Sequence, residues 1–233
     1  MDELKKDFNS NQTAEATRTT IETKLGKVEF SITLGDITKV NADAIVCPGN
    51  PGFEFAGIGG LQLAISKESG METFQEAEEK ANEYIEKTGG ISYSGGRKGL
   101  PLGFAATATP GRLKNIKSII HVNAIREEKN NALCDEKAVR VSVSGVLKEV
   151  DRADLKSVAF PAIGAGIWGL KIEDSLGQTI QGIRDYFNAK PDSKIEKVSF
   201  VVFSPVTQEN IQSFQKMLFD KTLPDLHGKE AQA

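Results

Sequence analysis

The chain has 233 residues, 39% hydrophobic and 26% charged, with a formal net charge of −3 and two cysteines. Its length suits one sizeable α/β domain or two cramped ones, and its composition excludes a disordered or collagen-like chain. The lack of excess positive charge argues against polymeric nucleic acid as a partner. Cys47 and Cys134 form no C-x-x-C pair and have no histidine cluster beside them, so neither a metal site nor a disulfide scaffold is expected and a reducing, cytoplasmic setting is the natural reading. No run approaches the roughly 20 apolar residues of a bilayer span, and Met1 to Thr20 is polar where a secretion signal needs an apolar stretch, so no membrane association is expected.

Residues 1–26 are polar and lack sustained periodicity, which reads as an N-terminal extension, either a peripheral tail or an added helix. One domain is expected over 27–220, with a short polar tail over 221–233. Val28 to Leu34 alternates as a strand does, and Ala44 to Cys47 is a short apolar run ended by Pro48-Gly49. Gly59 to Lys67 carries Leu61, Ala64 and Ile65 at helical spacing, and Met71 to Lys87 is a charged amphipathic helix that stops at Gly89-Gly90. Ala105 to Thr109 and Ser118 to Val122 read as strands, the second apolar on both faces as a central strand requires. Helices over Ala138 to Val150, Ile172 to Phe187 and Thr207 to Phe219 alternate with strands at Ser157 to Phe160 and Val198 to Phe203. That succession predicts a three-layer α/β/α sandwich around a central mixed, largely parallel sheet.

In such sheets, ligands sit beyond the carboxyl ends of the strands. Two glycine-rich loops fall at that position. The first runs from Cys47 to Gly60 and opens into a helix, so its amides and the helix start can face a phosphate. The second, Gly164-Ala165-Gly166-Ile167-Trp168-Gly169, follows the strand at Ser157 to Phe160. The first loop lacks the G-K-[ST] ending of a Walker loop and the G-x-G-x-x-G spacing of a dinucleotide fingerprint. A phosphate grip made of backbone amides remains.

Several segments then resemble the macrodomain family in order, over roughly residues 28–219. Gly35-Asp36-Ile37-Thr38 and Ala42-Asp43-Ala44-Ile45-Val46 resemble its G-D-I-T and D-A-I-V-N, Asn50 falls on the last Asn of N-A-A-N, and Gly59-Gly60-Leu61 is similar to the end of G-G-G-V. Ile119-Ile120-His121 resembles V-I-H, and Ala159-Phe160-Pro161-Ala162-Ile163 with the second glycine loop resembles A-F-P-x-I-S-T-G-I-Y-G. The resemblance implies an ADP-ribose-binding domain without cofactor or metal, taking ADP-ribose or an ADP-ribosylated protein. It implies that Asp36 accepts from the adenine amino group, that the Ile37 backbone orients the base, and that Phe203 packs on it. Gly164, Ala165, Gly166 and Ile167 then supply amides to the diphosphate, Gly59, Gly60 and Leu61 line its other side, and Trp168 walls the distal ribose. Read without the family, Asp36 caps a turn before Thr38 and Phe203 ends an apolar strand as a core residue.

The departures bear on chemistry. Cys47 stands at the first Asn of N-A-A-N, Pro48 and Gly49 replace its alanines, and Gln62 occupies the position of the Asp that hydrolytic members carry. Glutamine is no general base at neutral pH, so Asn50 is the residue left to orient a ribose hydroxyl or a water. Glu54 is a further carboxylate in the same loop, with a solvated surface charge as its plainer reading. Three activities stay open: an ADP-ribosyl hydrolase, a non-catalytic reader, and an ADP-ribose-1''-phosphate phosphatase. His121 ends an apolar strand and is read as a buried, hydrogen-bonded histidine; Cys47 is read as a small hydrophobe and His227 as incidental. The stretch Gly89 to Gly103 is either a lid or a loose surface loop.

Overall fold

The computed structural model describes residues 15–23, 26–55, 59–128, 131–203 and Phe214. Its course begins with an antiparallel pair, β1 (Glu15–Thr23) and β2 (Gly26–Leu34), then β3 (Ala44–Gly49), α1 (Gly60–Ser69) and α2 (Glu72–Thr88). A short hairpin, β4 (Ile91–Ser92) and β5 (Lys98–Gly99), precedes β6 (Ala105–Ala108) and β7 (Ser118–Asn123). A second hairpin, β8 (Arg126–Glu128) and β9 (Asn131–Leu133), leads into α3 (Glu136–Arg152), β10 (Ser157–Pro161), α4 (Ile172–Ala189) and β11 (Lys197–Val202).

Seven strands form one sheet in the order β1-β2-β11-β10-β3-β7-β6. Its inner strands, β2 to β7 in that order, run parallel, and β1 and β6 close the two edges antiparallel. Because successive residues of a strand point to opposite faces, one apolar run feeds two cores. In β3, Ala44 and Val46 lie in the core beneath α3 and α4, whereas Ile45 and Cys47 lie in a second core with Ile65 of α1 and Phe74 of α2. The same alternation sends Val158 and Phe160 of β10 to the first core and Ala159 to the second. Helices therefore cover both faces, as the three-layer expectation requires. On α3, Val139, Val143, Val146 and Val150 recur at helical spacing and are wholly buried, each stabilising the docked helix by about 1.5–3 kcal/mol relative to exposure.

At the amino edge of the sheet, Asp43 fastens three strands. Its Oδ2 accepts from the amides of Lys156 (2.7 Å) and Ser157 (3.2 Å), and its Oδ1 pairs with Lys117 Nζ at 2.8 Å. Burial alone would raise its pKa, but the Lys117 contact and the two amides hold it below the ordinary carboxylate value.

Two terminal expectations meet different outcomes. The segment expected as a tail or added helix supplies, from residue 15 onward, the edge strand β1 and the start of β2. Thr17, Thr19, Thr20 and Ile21 are β-branched, which favours a strand whatever their polarity. Residues 1–14 lie outside the described residues, as does the predicted last helix except for Phe214, which is helical and buried in the core beneath α3 and α4.

Candidate ligand cleft at the carboxyl edge of the sheet

Since β2, β11, β10 and β3 are parallel neighbours, the residues following them leave the sheet at one edge. In space the row runs Asp36, Phe203, the loop Gly164 to Trp168, and residues 50–55 and 59–60 of the first glycine loop. With strands about 4.8 Å apart, it spans about 14 Å. The two glycine loops follow adjacent strands, whose register pairs Val158 with Ala44 and Ala159 with Ile45.

At one end of the row, Asp36 caps a single turn of 3-10 helix over Ile37–Lys39. Its Oδ1 accepts from Thr38 N (2.9 Å) and Thr38 Oγ1 (2.8 Å), while Oδ2 accepts nothing from the described residues. The capping reading is thus correct for one oxygen and leaves the other open. Ile37 buries its side chain in the second core, so only its backbone can face the edge. Phe203 sits one strand over and is 78% exposed. The plain expectation of a core phenylalanine does not describe it.

In the middle, the second glycine loop is tightened by Ala165 N donating to Ala162 O (3.1 Å), Gly169 N to Gly166 O (3.1 Å) and Leu170 N to Gly164 O (3.0 Å). The Ala165 amide is therefore spent within the turn. Those of Gly166, Ile167 and Trp168 have no acceptor among the described residues. Gly164 has φ +82°, a backbone conformation that favours glycine. Ile167 is 82% exposed and Trp168 is exposed beside it, an apolar rim around unpaired amides.

At the far end, Gly59 and Gly60 have positive φ and open space where side chains would stand, and they start α1. The first amides of a helix lack intrahelical acceptors and favour anions. Leu61 leans onto the second core instead. Asn50 uses its side chain on its own loop: Oδ1 accepts from Gly52 N (3.0 Å) and Glu54 N (3.2 Å), and Nδ2 donates to Glu54 O (2.9 Å).

The Macro domain family model matches residues 53–178. A protein of Pyrobaculum aerophilum is 30% identical over 207 residues, which is 88% of this chain and 98% of that one. The chain belongs to the macrodomain family. Its fold is similar to the Oceanobacillus iheyensis macrodomain solved with ADP, with a TM-score of 0.65, 22% identity, and coverage of 87% of this chain and 95% of that one. It is similar also to the Trypanosoma brucei macrodomain in complex with ADP-ribose, with a TM-score of 0.59, 15% identity, and coverage of 81% and 68%.

Within this macrodomain the departures seen in the sequence have structural counterparts. Gln62 Nε2 donates to the Pro48 carbonyl at 3.2 Å, bracing the turn that replaces N-A-A-N. Cys47 is fully buried and its thiol is pushed up to about 12, which makes it inert as a nucleophile. His121 lies across from Cys47 in the β3–β7 register, shares a hydrogen bond with Thr73 Oγ1 at 3.1 Å, and is pushed down to about 3 by burial. It is a neutral core histidine. Among the described residues no group of three His, Cys, Asp or Glu side chains converges to hold a metal, and no helix is long and apolar enough to cross a membrane.

Three features of this region were not singled out from sequence. Phe53 is buried at φ 58°, its ring centroid 5.9 Å from that of His121, and it plugs the first glycine loop into the core. Asn123, at the end of β7, anchors the stretch expected as either a lid or a loose surface loop, and the β8–β9 hairpin walls a hollow of about 230 Å³ that Asn50, Glu54, Tyr93 and Arg97 also line. An asparagine directly after an apolar strand was the available signal for Asn123.

Proposed function

We propose that this macrodomain binds ADP-ribose along the carboxyl edge of its sheet, adenine at the Asp36 and Phe203 end and distal ribose at the Asn50 and Gly59 end. The observation that carries this reading is the strand order, which aligns a carboxylate oxygen and loop amides that have no partner among the described residues, an exposed aromatic ring and a glycine-opened helix in the sequence such a ligand needs. A base reads the first two, and a diphosphate takes amides without any cationic side chain. The ligands recorded for the Oceanobacillus and Trypanosoma macrodomains support the same ligand class. The reading favours recognition over rapid hydrolysis, because Gln62 braces a turn and Asn50 is engaged within its own loop.

The test is calorimetric titration of ADP-ribose and of ribose-5-phosphate into the wild type and Asp36→Asn. The amide keeps an acceptor for Thr38 while placing a donor against the adenine amino group. Loss of that contact costs roughly 1.5–3 kcal/mol, or about one to two decades in ADP-ribose affinity, with ribose-5-phosphate unchanged. Absence of ADP-ribose binding by the wild type overturns the reading, and equal weakening for both ligands returns Asp36 to a capping role.

A further inference from the structure

Away from the cleft, on the side of the sheet edged by β6, a groove of about 670 Å³ runs between the outer face of α3 and the turn Leu102 to Ala105. Glycines make it possible: at 145 a side chain would lie 1.8 Å from the Gly103 carbonyl oxygen, so the turn's backbone rests directly on the helix. Lys137, Arg140, Val141, Ser144, Lys148 and Arg152 recur along one face of α3 and line it.

Four cations share this groove with two carboxylates, in a chain whose net charge is −3. Both carboxylates are already engaged. Glu149 accepts from Thr107 N (2.8 Å) and Thr107 Oγ1 (3.1 Å) and is gripped by Arg152 through Nε (2.6 Å) and Nη2 (2.7 Å). Asp185 accepts from Arg140 Nε at 2.5 Å and from Gln181 Nε2 at 3.2 Å. Lys137 and Lys148 make no ion pair with the described residues and are exposed. They are separated by about 16 Å along the helix, a distance that about five residues of extended chain cover. Between them the lining is apolar and partly exposed, with Phe104, Ala105 and Val141.

We propose that this groove binds an extended acidic segment of a partner protein, its carboxylates meeting Lys137 and Lys148 and its intervening apolar side chains lying on Phe104 and Val141. The alternation of charge and apolar floor matches a peptide. In the groove a nucleic-acid strand would find only two cations without an ion pair among the described residues, on a protein of net charge −3, too little counterion release for useful affinity.

The test is fluorescence anisotropy of a fluorescein-labelled peptide in which Glu pairs flank a short Leu/Val core, with a labelled oligo-dT as competitor class. The full chain is expected to bind the peptide, more weakly as salt rises. Lys137→Glu with Lys148→Glu should weaken binding by about tenfold or more, while Lys67→Glu with Lys114→Glu, the same change of net charge elsewhere on the exposed surface, should leave it unchanged. Melting temperatures of both double variants establish that each is folded. No binding by the wild type, equal loss in both double variants, or oligo-dT binding as tight as the peptide and equally lost in the groove variant each overturns the proposal.

Discussion

Asn123, wholly buried at the end of β7, donates from Nδ2 to Tyr93 Oη at 3.1 Å and to the Leu100 carbonyl at 2.8 Å. Tyr93 Oη itself donates to the same carbonyl at 2.5 Å, and Leu100 N donates to Pro51 O at 2.7 Å. The segment Gly89 to Gly103 is thus fastened at its root to the strand end and to the first glycine loop. Its tip, at Gly95 and Gly96, has open space where side chains would stand, as has Gly89 where the segment leaves α2. A free lid and a loose loop are both inaccurate descriptions of the root, since burial of Asn123 makes those hydrogen bonds costly to leave unmade.

Tyr93→Phe should therefore act locally. Removing a hydroxyl that both donates and accepts here costs about 1 kcal/mol, and amide hydrogen exchange should quicken over residues 91–100 more than across α3 or β10. Mass-spectrometric exchange at matched temperature measures this. A uniform increase over the whole domain would mean that the hydroxyl contributes to global stability and not to the hairpin root.

Phe203 offers the cleanest separation between packing and recognition. At 78% exposure it contributes little to the core, so Phe203→Ala should leave the melting temperature nearly unchanged. Stacking of a base on an aromatic ring is worth roughly 1–3 kcal/mol by alanine substitution, so ADP-ribose affinity should fall by about 5- to 150-fold. Calorimetry and thermal melting on the same preparation decide it: a drop in melting temperature with unaltered affinity would make Phe203 a packing residue.

The sheet was readable because its central strands are apolar on both faces, as in Ile119 and Ile120 or Ala44 to Cys47, and because Gly70 and Gly89 stop α1 and α2 where they end. Strand β1 was not, since hydropathy carries no signal for a polar β-branched edge strand. The short hairpins β4–β5 and β8–β9 were also missed, because segments of two or three residues are too brief for periodicity to register. At the cleft, glycine placement and family motifs marked the loops, but what each polar atom is already bonded to is a tertiary matter. That is why Asn50 and Ala165, expected to face a ligand, are found engaged within their own loops.

Acid stability should carry the signature of Asp43. Its folded-state pKa is lowered, so its contribution is fully present above the unfolded value of about 4 and is lost as pH falls through the folded value below that. Asp43→Asn should lower stability at pH 7 by roughly 1.5–3 kcal/mol, the worth of hydrogen bonds to a charged group, and should flatten the loss of stability on acidification below about pH 4. Urea unfolding across that range, wild type against variant, checks the sign; parallel pH profiles would exclude Asp43 as a contributor.

The remaining prediction concerns chemistry at the distal end of the cleft. Hydrolysis of ADP-ribose esters on acidic side chains should be slow in the wild type, since Gln62 supplies no base and its amide is held by the Pro48 carbonyl at 3.2 Å. Gln62→Asp places a carboxylate at the start of α1, where the helix dipole favours negative charge, but it also removes the donor to Pro48. General-base assistance is typically worth about 10²- to 10⁴-fold when correctly placed. The shorter side chain and the altered turn at Pro48 and Gly49 should hold the gain to the lower end of that range or beneath it. Release of free ADP-ribose from an ADP-ribosylated protein, followed by chromatography, gives the rate for each variant. Rapid turnover by the wild type that survives Asn50→Ala would contradict this account and direct attention to Glu54, the carboxylate whose backbone amide and carbonyl already engage the Asn50 side chain.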